Sequence, residues 1–447
     1  MDDTERLLDA TKNLARGTTD AHDEALLEEA HPEDVAAVLR RLPTADRVAV
    51  FRTLSPERAA DVLPELDDHT LLELVLALDE VEVSRILDEM PSEHAADVVE
   101  ELPTEHAEKI LDLMEDAKSD EVQEILEYPE HSAGRLMSRD LIAVNDGATV
   151  AQAIDHIRKS VSEERAFDLY VVDSHRHLVG VVPLRRLLIA DPGTPVSTIR
   201  EEDVVSVRAE MDQEDVARIV AKYDLVAVPV VDQHHHLVGT IAVDDVIDIV
   251  GEEASEDIFR IAGSDAAELE RRSPRKIALM RLPWVLATLG IELCAGAVIH
   301  YFDQTLARVI LLASFMPVIQ AISGNTGLQS VTMVVRGLAT GQVQLTRWWE
   351  PLRRQIQTSS ILGGVCGLVV GVIGFFWHSP AFGFVVAISM FISVNLSGAA
   401  GTAIPMLSKR LGFDPALTAG PFETAFQDVL GVTIFLSLAT ALLRWLV

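Results

Sequence analysis

The second half of the sequence is dominated by apolar stretches that are long enough to cross a lipid bilayer. Five can be distinguished, at about residues 282–301, 309–338, 361–377, 382–407 and 417–443. A helix needs about 20 apolar residues to span the hydrocarbon core, so the third stretch is marginal. Because lipid cannot satisfy backbone polar groups, such stretches must be helices that pack together. We therefore predict an all-α transmembrane domain with five helices over residues 277–447.

Charge is divided unequally between the two halves. The chain has 37 Lys+Arg and 70 Asp+Glu. Residues 271–447 hold 13 and 6 of these, a net of +7, which leaves 24 and 64, a net of −40, for residues 1–270. This division indicates a soluble region joined to a membrane region. The acidity fits cation sensing, adaptation to high salt or simple solubility, and it argues against nucleic acid as a partner.

The last apolar stretch contains an acid. A charged group at bilayer depth costs about 2.5–3.5 kcal/mol, so it usually faces a bundle interior or a water-filled path. On a helix, Asp428 shares one face with Pro421, Thr424 and Gly431. No Lys or Arg lies in the middle of any of the five stretches. This favours an ion path, and the alternative is a buried acid paired with a cation.

Other polar residues in the apolar half are open to two interpretations. We predict that the sequence SGNTG at 323–327 interrupts the second span, as irregular backbone does where it lines a water-filled cavity. Asn395, Ser397, Gly398 and Gly401 give the fourth span a small, polar face suited to close helix packing. Glu292 and Glu423 are further acids in this half, and neither is predicted to be a ligand.

Residues 1–130 read as short acidic helices. Segments that begin at residues 31, 55, 91 and 103 each start with Pro, His or Ser, continue with acids and then place apolar residues at helical spacing. Stacked antiparallel pairs of this kind form an α-solenoid. Asp61, Glu93 and Asp97 lie in the early turns, where a solvated face is the simplest interpretation.

Residues 131–251 contain a strict internal repeat. The sequence LYVVDSHRHLVGVVPLRRL from Leu169 matches VPVVDQHHHLVGTIAVDDV from Val228, each with strand, turn, strand and helix. The repeat resembles a pair of CBS domains, an α/β module that regulates attached transporters or enzymes. The histidines at 234–236 lie in a turn and favour a solvated hairpin over a metal site. Pro183 and Ala242 stand where nucleotide-binding pairs carry Ser or Thr, so ATP binding has only weak support.

Residues 252–276 form an acidic connector that continues from the repeat. Its acids and those just before it crowd two helical stripes, where like charges repel. Carboxylates without His or Cys suit a hard cation such as Mg2+. The acids of the two stripes are Asp245, Asp248, Glu252, Glu253, Glu256 and Asp257. The sign of the charge then changes at RRSPRK, residues 271–276, just before the first span.

Basic residues flank the first span on one side and fill the loops after the second and fourth spans. The positive-inside rule then predicts a cytoplasmic N-terminus and an outside C-terminus in the cell membrane. The N-terminus has no apolar signal-peptide region, and Cys294 and Cys366 form neither a disulfide framework nor a metal motif.

In its order of domains and in three motifs, the chain resembles the MgtE family of magnesium transporters. The motifs are SGNTGLQ at 323–329, DPAL at 414–417 and DVLG at 428–431. The resemblance covers essentially the whole chain. It implies a homodimeric Mg2+ channel whose pore lies on the dimer axis, with Asp428 ringing the pore and cytoplasmic domains that close when internal Mg2+ is high.

The resemblance also implies two sets of site residues. We expect Gly324, Asn325, Gly327, Thr424 and Gly431 to line the pore with Asp428. The expected Mg2+ ligands of the closed state are Asp61, Glu93, Asp97, Glu214, Asp224, Asp245, Asp248, Glu253, Glu256, Asp257 and Asp414. Ser323 and Leu328 depart from the family pattern, which has Gly and often Asn at these positions, so selectivity or conductance could differ.

Three other functions fit parts of the sequence. A channel of similar fold could carry Co2+ or Mn2+, because all-oxygen ligands discriminate poorly between divalent ions. A membrane-anchored cation sensor would need neither Asp428 nor a broken second span. An enzyme is the least favoured, since the sequence has no nucleophile elbow, phosphate-binding Gly loop or His-based metal site.

Overall fold

The computed structural model describes residues 3–16, 21–159, 168–262, 264, 274–416 and 421–442. The chain divides into two compact units, residues 1–250 and residues 251–447. We call them the acidic unit and the membrane unit. Residues 263 and 265–273 of the predicted connector and residues 417–420 and 443 of the predicted fifth span lie outside the described residues.

The acidic unit begins with short helices whose N-termini are defined by side-chain caps. Ser55 accepts a hydrogen bond from the Arg58 backbone N–H, and Asp79 forms a capping box with Glu82. These helices are α1 (Asp3–Ala15), α2 (Ala21–Glu29), α3 (Pro32–Leu39), α4 (Thr44–Phe51), α5 (Pro56–Val62), α6 (Asp68–Val75), α7 (Glu80–Glu89), α8 (Ser92–Glu100), α9 (Thr104–Leu113), α10 (Asp116–Leu126) and α11 (Ala133–Leu136).

Packing among these helices follows a solenoid-like pattern. Helix α3 packs on α5, α5 on α7 and α7 on α9, so alternate helices form one continuous row. Their apolar faces build one core that includes Leu39, Val62, Leu87 and Ile110. Each short helix would be marginal alone, and burial of its apolar face against the next one stabilises the row. The predicted helical solenoid is confirmed.

Two three-stranded sheets follow, one from each copy of the repeat. In both sheets the first strand is parallel to the second, and the second is antiparallel to the third. The first copy contains β1 (Ala143–Asn145), α12 (Val150–Lys159), β2 (Asp168–Val172), β3 (Leu178–Pro183), α13 (Leu184–Ile189) and α14 (Val196–Ile199). The second contains β4 (Val207–Arg208), α15 (Gln213–Tyr223), β5 (Ala227–Val231), β6 (Leu237–Ala242) and α16 (Val243–Ile261).

The two copies meet through their hairpin turns. The backbone N–H of Leu178 donates to the His235 carbonyl at 3.2 Å, and that of Leu237 donates to the Arg176 carbonyl at 3.1 Å. The His177 and His236 rings stack at a centroid distance of 4.9 Å. A hydrogen bond to His177 lowers the pKa of Asp173 to about 2. These histidines therefore stabilise the joint between the copies, a role that the sequence pattern did not predict.

The membrane unit contains the acidic end of α16, a short helix and otherwise long, mostly apolar helices. They are the described part of α16 from residue 251, α17 (Pro274–Tyr301), the short α18 (Asp303–Arg308), α19 (Leu312–Ala339), α20 (Trp349–Trp377), α21 (Pro380–Leu411) and α22 (Pro421–Ala441), with a 3-10 turn at Leu345–Arg347 before α20. Among the described helices, α17, α20 and α21 are long and apolar enough to cross a membrane, and residues 425–441 of α22 form a shorter apolar segment. Helix α19 has the length, but polar residues dilute its apolar character.

The predicted interruption of the second span is wrong. Helix α19 is continuous from Leu312 to Ala339 and includes the whole SGNTG sequence. The hydroxyls of Ser323 and Thr326 donate to the carbonyls of Ile319 and Ile322, four residues back, at 2.7 and 2.9 Å. The two hydroxyls thus find hydrogen-bond acceptors within the helix, and the backbone stays regular.

Helices α20 and α21 pack through glycines. A Cβ atom added at Gly367 would lie 2.7 Å from the Ala387 carbonyl oxygen, and one at Gly383 would lie 2.5 Å from the Gly371 carbonyl oxygen. The two backbones therefore approach more closely than any larger residue would allow, as is common where small residues line a membrane helix interface.

This packing predicts that Gly367→Ala destabilises the membrane unit by about 1–3 kcal/mol, because the methyl group must push α21 away. Gly364→Ala is the matched control on the same helix, since a Cβ there meets nothing within 4 Å. We expect thermal unfolding in detergent micelles to show a lower Tm for Gly367→Ala alone. Equal melting temperatures for the two variants would contradict the close approach.

Candidate functional site

Asp428 lies on α22 and faces a second acid. The Asp428 carboxyl is within hydrogen-bonding reach of the Glu292 carboxyl on α17, and both residues are partly buried. Over the described parts of the chain, Asp428 makes no ion pair with a basic side chain, so the acid–cation pair left open by the sequence is not found. Two carboxyl groups that face each other at membrane depth cannot both be ionised unless a proton or a cation compensates their repulsion.

A polar network beside Asp428 ties three membrane helices together. With its amide oriented to suit its neighbours, Gln427 on α22 donates to the Ser323 carbonyl at 3.0 Å and accepts from the Gly324 backbone N–H at 2.6 Å. Ser397 on α21 donates to the same Ser323 carbonyl at 2.6 Å and contacts Gln427. The SGNTG sequence is thus fixed to α21 and α22 through hydrogen bonds.

Glu423 is the third acid of this region. Its side chain is 0% exposed, and neither carboxyl oxygen has a hydrogen-bond partner among the described residues. The carboxyl packs against Gly327, where an added Cβ would overlap Oε1 of Glu423. Only glycine leaves room for this oxygen, so Gly327 serves close packing in this chain.

The residues predicted to line the pore occupy different environments in the single chain. Asn325 is exposed and Gly324 is partly exposed, so both are available to a path or to a second chain. Gly327 is buried, and Gly431 lines a small cavity between α21 and α22. Thr424 lies in α22, and its side chain is outside the described residues. Their role in the pore stays a prediction.

In the acidic unit, a buried acid of the helical domain faces α16. Glu93 on α8 is only 6% exposed, and it lies beside Ser138 and near Asp245 in the first turn of α16. Burial raises the pKa of Glu93 above its ordinary value of 4.5, and the negative charge of Asp245 adds to this. Repulsion between the two ionised carboxyls therefore opposes a close approach of α8 to the start of α16.

A second contact of the same kind involves Glu65 and Glu33, which the sequence did not single out. Burial raises the pKa of Glu65, and a hydrogen bond to Glu33 and the charges of Glu33 and Asp248 raise it further. Asp248 lies on α16, three residues after Asp245. Carboxylates of the helical domain thus lie close enough to carboxylates of α16 to repel them at two places.

The other predicted ligands in the acidic unit are more dispersed. Asp61 is exposed and lies 3.6 Å from Arg58 on its own helix. Asp97 is exposed one turn after Glu93. Glu214 and Asp224 lie at opposite ends of α15, about 15 Å apart, so one chain cannot use both for one ion.

In the membrane unit, the end of α16 is held by an arginine. Arg260 pairs with Asp414 and with Glu256, one turn back on α16. Ile261 packs against the apolar cluster of α19 and Ala416 beside this pair. Asp414 therefore has a protein cation as its partner, which the sequence did not predict. The remaining predicted ligands, Glu253 and Asp257, are partly buried on the same helix.

No group of three or more His, Cys, Asp or Glu among the described residues is set closely enough to hold a metal ion directly. The acids face one another in pairs instead. Such pairs suit a cation that keeps several of its own water molecules, as Mg2+ usually does. An apolar helical bundle with such acids, preceded by an acidic unit, is the arrangement expected of a membrane transporter for hard divalent cations.

Comparison with known families agrees with this class. The family model described as a divalent cation transporter matches residues 316–438, the MgtE intracellular N domain matches 30–131, and CBS domains match 133–193 and 196–252. "Magnesium transporter MgtE" of Thermus thermophilus is 34% identical over 438 residues, 96% of this chain and 97% of the relative. The Bacillus subtilis protein of the same name is 32% identical over 72% of each chain. The chain belongs to the MgtE family.

Solved structures resemble the acidic unit. "Crystal structure of the soluble part of a magnesium transporter" matches with a TM-score of 0.53 and 29% identity, and covers 56% of this chain and 99% of that one. The cytosolic domain of the Mg2+ channel MgtE in complex with ATP matches with a TM-score of 0.51 and 34% identity, over 54% and 99%. The predicted order of helical domain, CBS pair and apolar helices is confirmed.

The raised pKa values predict that acid strengthens the contact between the helical domain and α16. A carboxyl whose pKa is raised in the contact takes up a proton there, so the contact is favoured below that pKa and is lost as pH rises through it. Limited proteolysis of the full-length protein in micelles with EDTA should show increasing protection of the segment between α10 and α16 as pH falls from about 7 towards about 5.

Glu93→Gln should reduce this pH dependence, because the neutral amide mimics the protonated carboxyl. Glu105→Gln on α9 is the control, since the Glu105 side chain is 82% exposed and should leave the dependence unchanged. Protection that does not change with pH in the parent protein would refute the repulsion at this contact.

Proposed function

We propose that the protein is a Mg2+ channel that mediates magnesium uptake and closes when Mg2+ rises on the side of its acidic unit. The observation that carries the transport function is Asp428, an acid at membrane depth that pairs with no basic side chain of the described chain. It lies beside the hydrogen-bonded network of Gln427, Ser397 and Ser323. The relatives named magnesium transporters support Mg2+ as the substrate.

Ion entry relies on hydration rather than on a dehydrated cage. Mg2+ gives up its water shell reluctantly and is usually held by one or two carboxylates with water between. A carboxylate in a low-dielectric setting attracts a divalent ion about twice as strongly as a monovalent one at the same distance. Asp428 would therefore concentrate Mg2+ in the path, and the weak, water-mediated contact would let the ion leave again.

Closure follows from the repulsion between the helical domain and α16. At low Mg2+ the acid pairs Glu93–Asp245 and Glu65–Asp248 repel, which favours an open arrangement. Mg2+ bound between them would cancel this repulsion only in the compact arrangement. Mg2+ would therefore bind the compact arrangement more tightly than the open one, and this difference in affinity would shift the population towards the compact arrangement. Because α16 is one helix from Val243 to Ile261, an event at its first turn would be passed to Arg260 at its end.

The assembly we propose is a homodimer in the lipid bilayer of the cell membrane, with the acidic unit in the cytoplasm and the C-terminus outside. Little of the apolar surface of α17 is buried within the chain, so this surface is available to lipid or to a second copy. One similar structure holds ATP. In this chain Pro183 and Ala242 occupy the expected hydroxyl positions, so ATP is the least supported of the proposed partners.

Mg2+ uptake into proteoliposomes tests the transport proposal. Asp428→Asn should reduce uptake at least about tenfold, because the amide keeps the shape but removes the charge that attracts the ion. Glu350→Gln, outside the apolar part of α20, is the control and should transport like the parent protein. Uptake by Asp428→Asn at the parent rate would remove Asp428 from the ion path. Faster uptake of Co2+ or Mn2+ than of Mg2+ by the parent protein would show that Mg2+ is not the preferred substrate.

The closing mechanism makes a separate prediction. In the same vesicles, Mg2+ on the side of the acidic unit should suppress uptake by the parent protein. Asp245→Asn together with Asp248→Asn should need about tenfold more Mg2+ for the same suppression, because two ligand charges are lost. Asp215→Asn, which changes an exposed acid on α15, is the control. Suppression at the same Mg2+ level in the double variant would exclude these acids from sensing.

A further inference from the structure

Helix α17 places a second acid, Glu292, beside Asp428. Glu292 lies near the middle of this 28-residue helix, well before its C-terminal end at Tyr301. Its carboxyl is within hydrogen-bonding reach of the Asp428 carboxyl on α22. The two helices pack along each other, so this approach is part of the fold of the membrane unit.

Both acids remain partly exposed in the single chain. Their neighbours on α17 are apolar and largely exposed, for example Leu289 at 52% and Leu293 at 66%. A lipid-facing position would leave the two carboxyls in hydrocarbon with only each other as partners, a costly arrangement that membrane proteins rarely adopt. The face that bears Glu292 and Asp428 must therefore meet water or a second copy of the chain.

Among the described residues, no basic side chain neutralises this region. The charged groups that act on Asp428 are acids, since Glu292 contacts it and Glu423 lies close enough for electrostatic repulsion. Glu423 is fully buried, and its two carboxyl oxygens have no hydrogen-bond partner within the described chain. Three acids thus share one small region of the membrane unit. An external cation would provide the counter-charge that their ionised forms need.

We infer that Glu292 is a second carboxylate of the ion path, placed by α17 opposite Asp428, and that the pair sets the preference for divalent over monovalent cations. This inference rests on the proposed function. It adds one charge per chain to the ion site, so a homodimer would present four carboxylates instead of two.

The pair would act through charge and through water. A hydrated Mg2+ beside the two carboxylates would donate hydrogen bonds from its bound water to both, and each carboxylate attracts a divalent ion about twice as strongly as Na+. Every added carboxylate therefore increases the difference between the electrostatic attraction of Mg2+ and that of Na+. With one carboxylate, Mg2+ would still enter, but Na+ would compete with it more effectively.

Ion competition in proteoliposomes tests the role of Glu292. The parent protein, Glu292→Gln, Glu292→Asp and Glu350→Gln are compared for Mg2+ uptake and for the Mg2+ concentration that blocks Na+ flux. In Glu292→Gln we expect the half-saturating and the blocking Mg2+ concentrations both to rise about tenfold. Glu292→Asp keeps the charge and should restore much of the block, whereas Glu350→Gln should behave like the parent protein.

Parent-like Mg2+ saturation and Na+ block in Glu292→Gln would overturn the inference. The Asp428→Asn variant keeps this outcome separate from the proposed function. If uptake is lost in Asp428→Asn but Glu292→Gln is unchanged, only the role of Glu292 is wrong. If the parent protein carries no Mg2+, the proposed function itself fails.

Water access gives a second readout that does not depend on transport. Glu292→Cys is made with Cys294→Ser and Cys366→Ser, and is treated with a membrane-impermeant, charged methanethiosulfonate. We expect rapid modification that Mg2+ slows. Leu368→Cys, on the exposed apolar face of α20, is the control and should react slowly. Equally slow reaction at residue 292 would place Glu292 away from water and would also overturn the inference.

Discussion

Repulsion between carboxylates is the constraint on which this protein depends. Acids of the helical domain face acids of α16, and acids of α17 and α22 face each other in the membrane. Pairs of this kind are unfavourable unless a proton or a cation lies between them. The fold maintains these pairs through packing and hydrogen bonds elsewhere, and it leaves them sensitive to the cation that the protein is proposed to carry.

The surrounding structure keeps the acids in place despite this repulsion. In the membrane unit, Gln427, the residue before Asp428, joins Ser397 in holding α22 and α21 against the backbone of Ser323. Close approach of α20 and α21 at Gly367 adds rigidity. In the acidic unit, a pair between the buried Arg135 and Glu100 fixes the short α11 to α8, the helix that bears Glu93. Because these contacts hold the helices of each unit in place, small changes in cation binding can change how the acid pairs pack.

Much of the fold could be predicted from the sequence because its signals are local or periodic. The equal spacing of the two repeats, with Gly180 and Gly239 at matching positions, predicts two equal sheets, and both were found. Pro and Ser at the starts of short segments predict the helices of the solenoid. The SGNTG sequence misled, because Gly and Asn usually break helices, whereas here the hydroxyls of Ser323 and Thr326 bond within the helix.

The parts of the site that the sequence did not predict depend on contacts between residues that are far apart in the chain. Arg260 is 154 residues from Asp414, and Glu292 is similarly remote from Asp428. No local pattern shows that such residues meet, so the sequence predicts Asp428 but not its neighbour. Glu65 was missed for the same reason, because it comes near Asp248 only in the folded chain.

We propose that the same cation passes through the membrane unit and compacts the acidic unit. Hydrogen exchange of the reconstituted protein over a Mg2+ titration, with flux measured on the same vesicles, tests it most directly. We expect amides of α8 and of the first turns of α16 to become protected at the Mg2+ concentration at which flux falls by half. Flux that falls while exchange in these helices stays constant would contradict the claim.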